Sequence, residues 1–360
     1  MLQQVSFQNF KAIGEAVIPL HPLTVFAGPN GAGKTSILQG VYYLSQAVWL
    51  KSLDEFFSGD RQLDRLWKRG ADAPLRIEFL LDGARVALTP QPGRGHAAKM
   101  KLLGEGRESP FFSISPLSKP ELEAQVQKHL NAFSPAVYFA SGTLSGNLAD
   151  AARRFDPPLY LEGDGLASML VFLRLNAPDL FAQIEDAMRR IFPKIEQIRF
   201  ERAYKQQTPE LWVRESLLFD AAGSRGVPAA AMSEGEMRTL SMLTALIGAR
   251  PEPPRLFLAD AIDQALHPAA QVRLMEVLRE LLQTRPELQI LASSHSPAFL
   301  DLLEVDEVRL TNLGDDGEVR AARLQEHPEF EKHRDQLKPG EFWRMMGESW
   351  FGPGRRELAR

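Results

Sequence analysis

Hydrophobic positions along this chain recur with two periods. Near the N-terminus they come in short blocks: Val5 and Phe7, then Ala16-Val17-Ile18, then the continuous run Leu23-Thr24-Val25-Phe26-Ala27, which stops at Gly28. A short apolar run closed by a glycine reads as a buried strand. A helix is expected from about Gly33 to Leu50. Residues 74–115 return to strands: Leu75-Arg76-Ile77-Glu78-Phe79 alternates, and Asp82-Gly83 is a hairpin signal before Arg85-Val86-Ala87-Leu88. Gln91 to Gly95 reads as a loop. Helical spacing appears over 118–133 and over 178–192, where Leu180, Ile184, Ala187, Met188 and Ile191 share one face behind a Pro178-Asp179 opening. Strands are expected again at 195–204 and 210–219.

The C-terminal half changes rhythm. Glu236 to Ala249 reads as a helix, Leu256 to Ala259 as a buried strand, Ala269 to Thr284 as a helix and Gln289 to Ala292 as a second buried strand. Such alternation implies a parallel sheet covered by helices, so the fold class is α/β. The region after about His327, with Pro339-Gly340 and Pro353-Gly354, reads as a peripheral helix and loop.

Composition narrows the field only a little. A chain of 360 residues, 44% hydrophobic, is long enough for one large or two ordinary domains. A formal charge of −4 argues against coating nucleic acid by bulk electrostatics, although a local patch is compatible with it. Absence of cysteine rules out a disulfide framework and a thiolate metal site, and fits a reducing cytoplasm. No apolar run reaches the ~20 residues of a membrane-spanning helix, and the first residues lack the pattern of a signal peptide. A cytoplasmic protein with no membrane partner is expected.

Chemistry enters at Gly28-Pro29-Asn30-Gly31-Ala32-Gly33-Lys34-Thr35, which matches G-x-x-x-x-G-K-[ST] after an apolar strand and at a helix start. Glycines let backbone N–H groups wrap a phosphate, and the helix N-terminus adds a field that favours anions. Asn30, Gly31, Ala32, Gly33, Lys34, Thr35 and Ser36 are therefore the candidate ATP cradle. Lys34 is expected at the β- and γ-phosphates and the Thr35 hydroxyl on Mg²⁺. Downstream, Arg255-Leu256-Phe257-Leu258-Ala259-Asp260 is an apolar strand ending in an acid, the place from which such enzymes hold Mg²⁺. Thr35 and Asp260 are thus the candidate metal ligands. Met232-Ser233-Glu234-Gly235-Glu236 opens a helix. It reads as a capping box, Ser233 with Glu236, and it also looks like the signature of ABC ATPases, which implies that Ser233, Gly235 and Glu236 are presented to the γ-phosphate of ATP held by a second subunit. His295, in Ser293-Ser294-His295-Ser296-Pro297 after the next strand, reads as a structural hydrogen-bonder; at this place in the order it also looks like the switch histidine of such ATPases, which implies that it senses the γ-phosphate.

The order of phosphate loop, signature, Mg²⁺ acid and histidine resembles the ABC ATPase superfamily, in its non-transporter branch with RecF, SMC and OLD proteins. Asn9-Phe10-Lys11 is similar to the step that opens those heads. Leu266-His267-Pro268 and Ser294-His295-Ser296-Pro297 resemble the OLD-like ATPases of bacterial defence and toxin–antitoxin systems. Gly163-Asp164-Gly165-Leu166-Ala167 and Pro339-Gly340-Glu341-Phe342-Trp343 resemble stand-alone anti-phage members such as the Septu-type ATPases. The resemblance implies an ABC head with a parallel-sheet P-loop core, an antiparallel β subdomain and a helical insertion. It implies an N-terminal ATPase lobe over 1–115, an insertion over 116–227, a C-terminal lobe over 228–326 and a peripheral tail over 327–360. The stretch between Lys34 and Ser233 is longer than a transporter subunit's and contains no coiled coil, which disfavours a transporter motor and a long-armed SMC protein.

The family's catalytic acid directly after the Mg²⁺ aspartate is replaced here by Ala261, in Asp260-Ala261-Ile262-Asp263. A methyl group cannot orient water, so the expected enzyme is an ATP hydrolase that binds well and turns over weakly, natural or engineered, with Asp263 as the nearest substitute. The expected role is an ATP-dependent homodimer regulating a separate effector, a nuclease, in antiviral defence. The competing reading is a RecF-like ATPase of recombination and repair that binds duplex DNA; the basic spots Lys68-Arg69, Arg153-Arg154 and Arg189-Arg190 read as solvated helix faces rather than phosphate contacts.

Overall fold

The computed structural model describes residues 1–49, 66–81, 84–90, 98–104, 137–139, 164–204, 213–221, 227–228, 231–248 and 255–351. The expected helix at 118–133, the loop at 91–95, Arg153-Arg154 and Pro353-Gly354 lie outside them. The chain forms two compact units. The first comprises Met1–Ala136, Arg255–Ile262 and Pro286–Arg360, and the second comprises Val137–Pro254 and Asp263–Arg285.

The first unit opens with β1 (Leu2–Phe10), β2 (Ile13–Pro19) and β3 (Leu23–Ala27), followed by α1 (Lys34–Trp49) and β4 (Arg76–Leu81), β5 (Ala84–Pro90) and β6 (Ala98–Gly104). Lys11, at φ 53°, lies in the tight turn between β1 and β2, and Asn9, also at φ 53°, is the penultimate residue of β1. An antiparallel sheet of order β2-β1-β4-β5-β6 results. Later segments return to complete a second sheet: β11 (Leu256–Ala259), β12 (Gln289–Ser294), the short helix α6 (Pro297–Leu300), then the hairpin β13 (Val308–Leu313) and β14 (Val319–Arg323). Within this unit its order is β14-β13-β3-β12-β11, with β3 parallel to both β12 and β13. Every residue of β3, β11 and β12 is buried, as expected for parallel strands covered on both faces. The unit ends with α7 (Phe330–His333) and α8 (Pro339–Met346).

The second unit contains β7 (Val137–Phe139), α2 (Asp164–Asn176), α3 (Pro178–Ile191), the antiparallel strands β8 (Ile195–Tyr204), β9 (Val213–Ala221) and β10 (Val227–Pro228), then α4 (Glu234–Gly248) and α5 (Pro268–Thr284). Helix α3 contacts α2, α4, α5 and β8. Its buried side, Phe181, Ile184, Ala187, Met188 and Ile191, keeps the face read from the sequence except that Phe181 replaces Leu180. Arg174 lies over the rings of Phe181 and Phe200 at 5.5 and 5.7 Å, joining α2 to α3 and β8.

The helices α2 and α6, the strands β7 and β10 and the β13–β14 hairpin had no counterpart in the pattern reading, and α8, expected as a peripheral helix, is seated with its Phe342 only 2% exposed. No helix of the described residues is long and apolar enough to cross a membrane.

Candidate functional site

The phosphate loop follows directly from the end of β3. Gly28 has φ 154°, and a Cβ there would stand 2.2 Å from the Thr311 carbonyl oxygen of β13. Gly33, at φ 85°, would place a Cβ 2.4 Å from Val319 Cγ1 of β14. Both glycines are required because the loop lies on the hairpin, with the Thr311 hydroxyl donating to Ala27 O at 3.1 Å. Asn30 and Gly31 are exposed at the loop's crest and Ala32 is buried. Lys34 starts α1 and is 5% exposed. Its ammonium donates to Gly28 O at 2.9 Å and Pro29 O at 2.8 Å, so it closes over the loop's own carbonyls. Thr35 is exposed and Ser36 half-buried on the first turn.

Strand β11 delivers Asp260 to the same place. The Thr35 hydroxyl donates to Asp260 Oδ2 at 2.8 Å, joining residues far apart in sequence. The other carboxylate oxygen accepts from the Ser293 hydroxyl. Ser293, wholly buried at the end of β12, also accepts from the Ala261 N–H at 2.8 Å, and its carbonyl accepts from Ile262 N–H at 3.0 Å. Asp260, 4% exposed, is therefore aimed by two hydroxyls from two different elements. The sequence reading missed Ser293. Its signal was two serines ending an otherwise apolar strand, a position where a buried hydroxyl must find a partner. Ala261, half-buried, has φ 51°. His295 is exposed, one residue beyond β12.

The remaining candidates belong to the second unit. Ser233 N–H and hydroxyl both donate to Glu236 Oε2, at 2.9 and 2.8 Å, and Glu236 N–H donates back to Ser233 Oγ at 3.3 Å. The capping box read from the sequence is formed. Gly235 is buried, and a Cβ there would meet the Ala265 carbonyl at 2.3 Å. Glycine is therefore demanded at the start of α4 by the loop after β11. Asp263 is 9% exposed, and its carbonyl closes a turn on Leu266 N–H at 3.2 Å. His267 caps α5 through Nδ1, which accepts from Ala269 N–H at 3.3 Å. Among the described residues no group of three or more His, Asp or Glu is placed to hold a metal ion.

A hydroxyl and a carboxylate in contact at the foot of a glycine loop suit a hard divalent cation shared with phosphate oxygens, because Mg²⁺ takes one or two protein oxygens and leaves the rest of its shell to substrate and water. A family model described as "AAA domain, putative AbiEii toxin, Type IV TA system" matches residues 23–301. The chain belongs to that family. Its match begins at β3 and ends just past His295, so this AAA-domain family shares the segment that builds the site. An "OLD nuclease" of Thermus scotoductus is 43% identical over 49 residues, which is 14% of this chain and 9% of that protein. The match thus spans a small fraction of that relative's length.

Two solved structures share the fold. One is described as the SmcHead bound to the C-winged helix domain of ScpA, at TM-score 0.59 and 15% identity, over 89% of this chain and 96% of that one. The other is an Smc head domain with an extended coiled coil, bound to the C-terminal domain of ScpA derived from Pyrococcus furiosus. It has TM-score 0.58 and 14% identity, over 93% of this chain and 100% of that one. The chain is thus a member of this AAA-domain family with an α/β fold like that of Smc heads, and a short stretch of it is similar to an OLD nuclease.

Proposed function

We propose that this chain binds Mg²⁺–ATP, pairs with a second copy of itself on doing so, and thereby controls a separate effector protein, a nuclease, in bacterial defence. The observation that carries the first step is the Thr35–Asp260 hydrogen bond, which brings the two candidate metal ligands to one point between α1 and β11. Backbone N–H groups from Asn30 to Ser36 hold the phosphates, and Lys34 supplies the fixed cation for the β- and γ-groups. Thr35 Oγ1 and Asp260 Oδ2 are the oxygens that take Mg²⁺, whose contribution is to neutralise charge on the phosphate oxygens. His295 senses the γ-phosphate.

Pairing is supported by the start of α4. Ser233 is exposed and Gly235 keeps its backbone close-packed, so the helix presents N–H groups and a hydroxyl at a positive dipole end. In a head-to-tail sandwich these atoms complete the partner copy's site. The defence role rests on the likeness to OLD and Septu-type proteins, and the nuclease is the effector those resemblances suggest.

Light scattering with Mg²⁺–ATP tests the pairing. At least a dimer is expected for the native chain and a monomer for Ser233→Arg, whereas a monomer at saturating ATP for both overturns it. Calorimetry tests the site: Lys34→Ala abolishes ATP binding, and retained micromolar affinity would remove the phosphate loop from the reading. Salt-dependent, ATP-dependent binding to duplex DNA without any effector would favour a RecF-like repair role instead.

A further inference from the structure

The C-terminal segment has no part in that scheme, yet it is clamped to the residues that follow His295. Strand β12 ends at Ser294, whose hydroxyl accepts from Ser296 N–H at 3.0 Å. Ser296 Oγ in turn accepts from Phe299 N–H at 3.2 Å and caps α6. Asp301 follows at once. Its N–H donates to Pro297 O at 3.0 Å, and its Oδ1 accepts from two N–H groups, Gly340 at 2.8 Å and Glu341 at 3.0 Å. Those are first-turn amides of α8, groups that have no partner within their own helix. A carboxylate from elsewhere in the chain thus serves as the cap of α8. Contact is close: a Cβ on Gly340 would stand 1.9 Å from Pro297 O and 2.8 Å from Asp301 Oδ1.

The far side of α8 is anchored too. Phe342 packs edge-on to His327 and Phe330, with ring centroids 5.1 and 5.6 Å away. Trp343 Nε1 donates to Glu348 Oε2 at 2.9 Å, and Glu348 O accepts from Asn312 Nδ2 at 3.3 Å, next to the Thr311 that lies under Gly28. Helix α6 has only four residues, far below the ~12–15 at which a helix begins to hold by itself. Its geometry is imposed by what packs on it, and His295 sits two residues before it on an exposed stretch.

We infer that Asp301 and Gly340 are positioning residues for His295: they dock α8 on α6 and so fix the backbone that presents the imidazole to the γ-phosphate. This rests on the reading of His295 given above. The chemistry is indirect, since neither residue faces nucleotide. The clamp makes α8 part of the ATP site's support rather than an appendage.

ATP turnover by the full chain, with ATP affinity measured alongside, tests the assignment in Gly340→Ala, Asp301→Ala, Asp301→Asn, His295→Ala and the Gly340→Ala/His295→Ala double variant. Gly340→Ala and Asp301→Ala are expected to lower kcat by about tenfold or more while KM shifts by less than about threefold, because binding uses the phosphate loop and not the clamp. Asp301→Asn keeps a carbonyl oxygen to accept both N–H groups and restores most of the rate. The double variant is no slower than His295→Ala alone. Wild-type kcat in Gly340→Ala and Asp301→Ala, with His295→Ala impaired, overturns the clamp and leaves the role of His295 standing. Wild-type kcat in His295→Ala overturns both. If Gly340→Ala does not fold, the Asp301 pair decides: Asn no better than Ala means the contact is only structural, and the inference fails.

Discussion

Ala261 adopts φ 51°, a region in which an L-residue other than glycine costs on the order of 1–2 kcal/mol. Its N–H is held by Ser293 Oγ, the same atom that donates to Asp260. The strained residue and the candidate metal ligand therefore share one buried hydroxyl. Any side chain at 261 pays a similar backbone cost, so Ala261→Glu is expected to fold as the native chain does. In water-attack mechanisms a positioned acid contributes about 10²–10⁴-fold. Ala261→Glu should then raise ATP turnover at least about tenfold, measured as phosphate release, with ATP affinity kept. A normal native rate of order 1 s⁻¹ with nothing gained from the glutamate would acquit position 261 and turn attention to Asp263→Asn. Ser293→Ala leaves both the Ala261 amide and the Asp260 carboxylate short of a buried partner. It should cost about 1–3 kcal/mol in urea unfolding. At this scale the sequence was legible wherever a motif fixes the residue type, as at Lys34, Thr35 and Asp260. It was silent at Ser293, because a serine at the end of a strand advertises no partner until the neighbouring strand is in place.

At the scale of elements, the strands and helices around the site were readable because their burial is one-sided or complete. Strand β11 falls where the apolar run put it, and α5 begins one residue earlier than expected, with Pro268 in its first turn. The β13–β14 hairpin was not readable, and Arg309 shows why. This guanidinium is 1% exposed in the middle of Val308-Arg309-Leu310-Thr311. It donates to Pro19 O at 2.8 Å and Asp306 O at 2.6 Å, tying the end of β2 to β13. Burial pushes its pKa down to about 10, so it remains a cation at neutral pH. An arginine there makes a strand whose first four residues are buried look like a surface segment. The start of α4 offers a test that separates its two uses. Ser233→Ala should cost about 1 kcal/mol of stability by loss of the cap. Ser233→Asp, an equally good cap, should keep that stability yet abolish ATP-dependent pairing, since it sets a carboxylate against the partner copy's γ-phosphate. Thermal melts and light scattering on the same samples read both. A Ser233→Asp protein that still dimerises with ATP would leave the residue with its capping role alone.

Across the molecule, contacts between distant segments decide whether the site exists. Gln289 at the start of β12 makes one such tie. Its amide accepts from Leu2 N–H at 3.1 Å and donates to Leu2 O at 2.8 Å and to His21 O at 3.0 Å. One side chain thus joins the first strand, the entry to β3 and the parallel sheet. Gln289→Ala orphans buried backbone groups of Leu2 and should lower unfolding free energy by about 1–3 kcal/mol per group, whereas Gln289→Glu should lose the two donated bonds and retain the accepted one. Equal stability of all three proteins would show that the tie is made by backbone pairing and not by this amide. The alternation of strand and helix announced the α/β class, but the partition into two units that exchange chain segments was not visible, because no local pattern records which distant stretch returns to which core.

Strand β3 lies between β12 and β13, both parallel to it and both made from the last third of the chain. During synthesis its five buried residues wait for neighbours that have not yet been translated. At about 5–20 residues per second the wait lasts on the order of tens of seconds. The phosphate loop cannot take its final shape in that interval, since Thr311 and Val319, on which its glycines rest, emerge later still. A ribosome-bound chain stopped before residue 294 should therefore fail to retain ATP and should recruit a holdase through β3. A nucleotide that bound only the finished loop would thereby act as an inspector of completed synthesis.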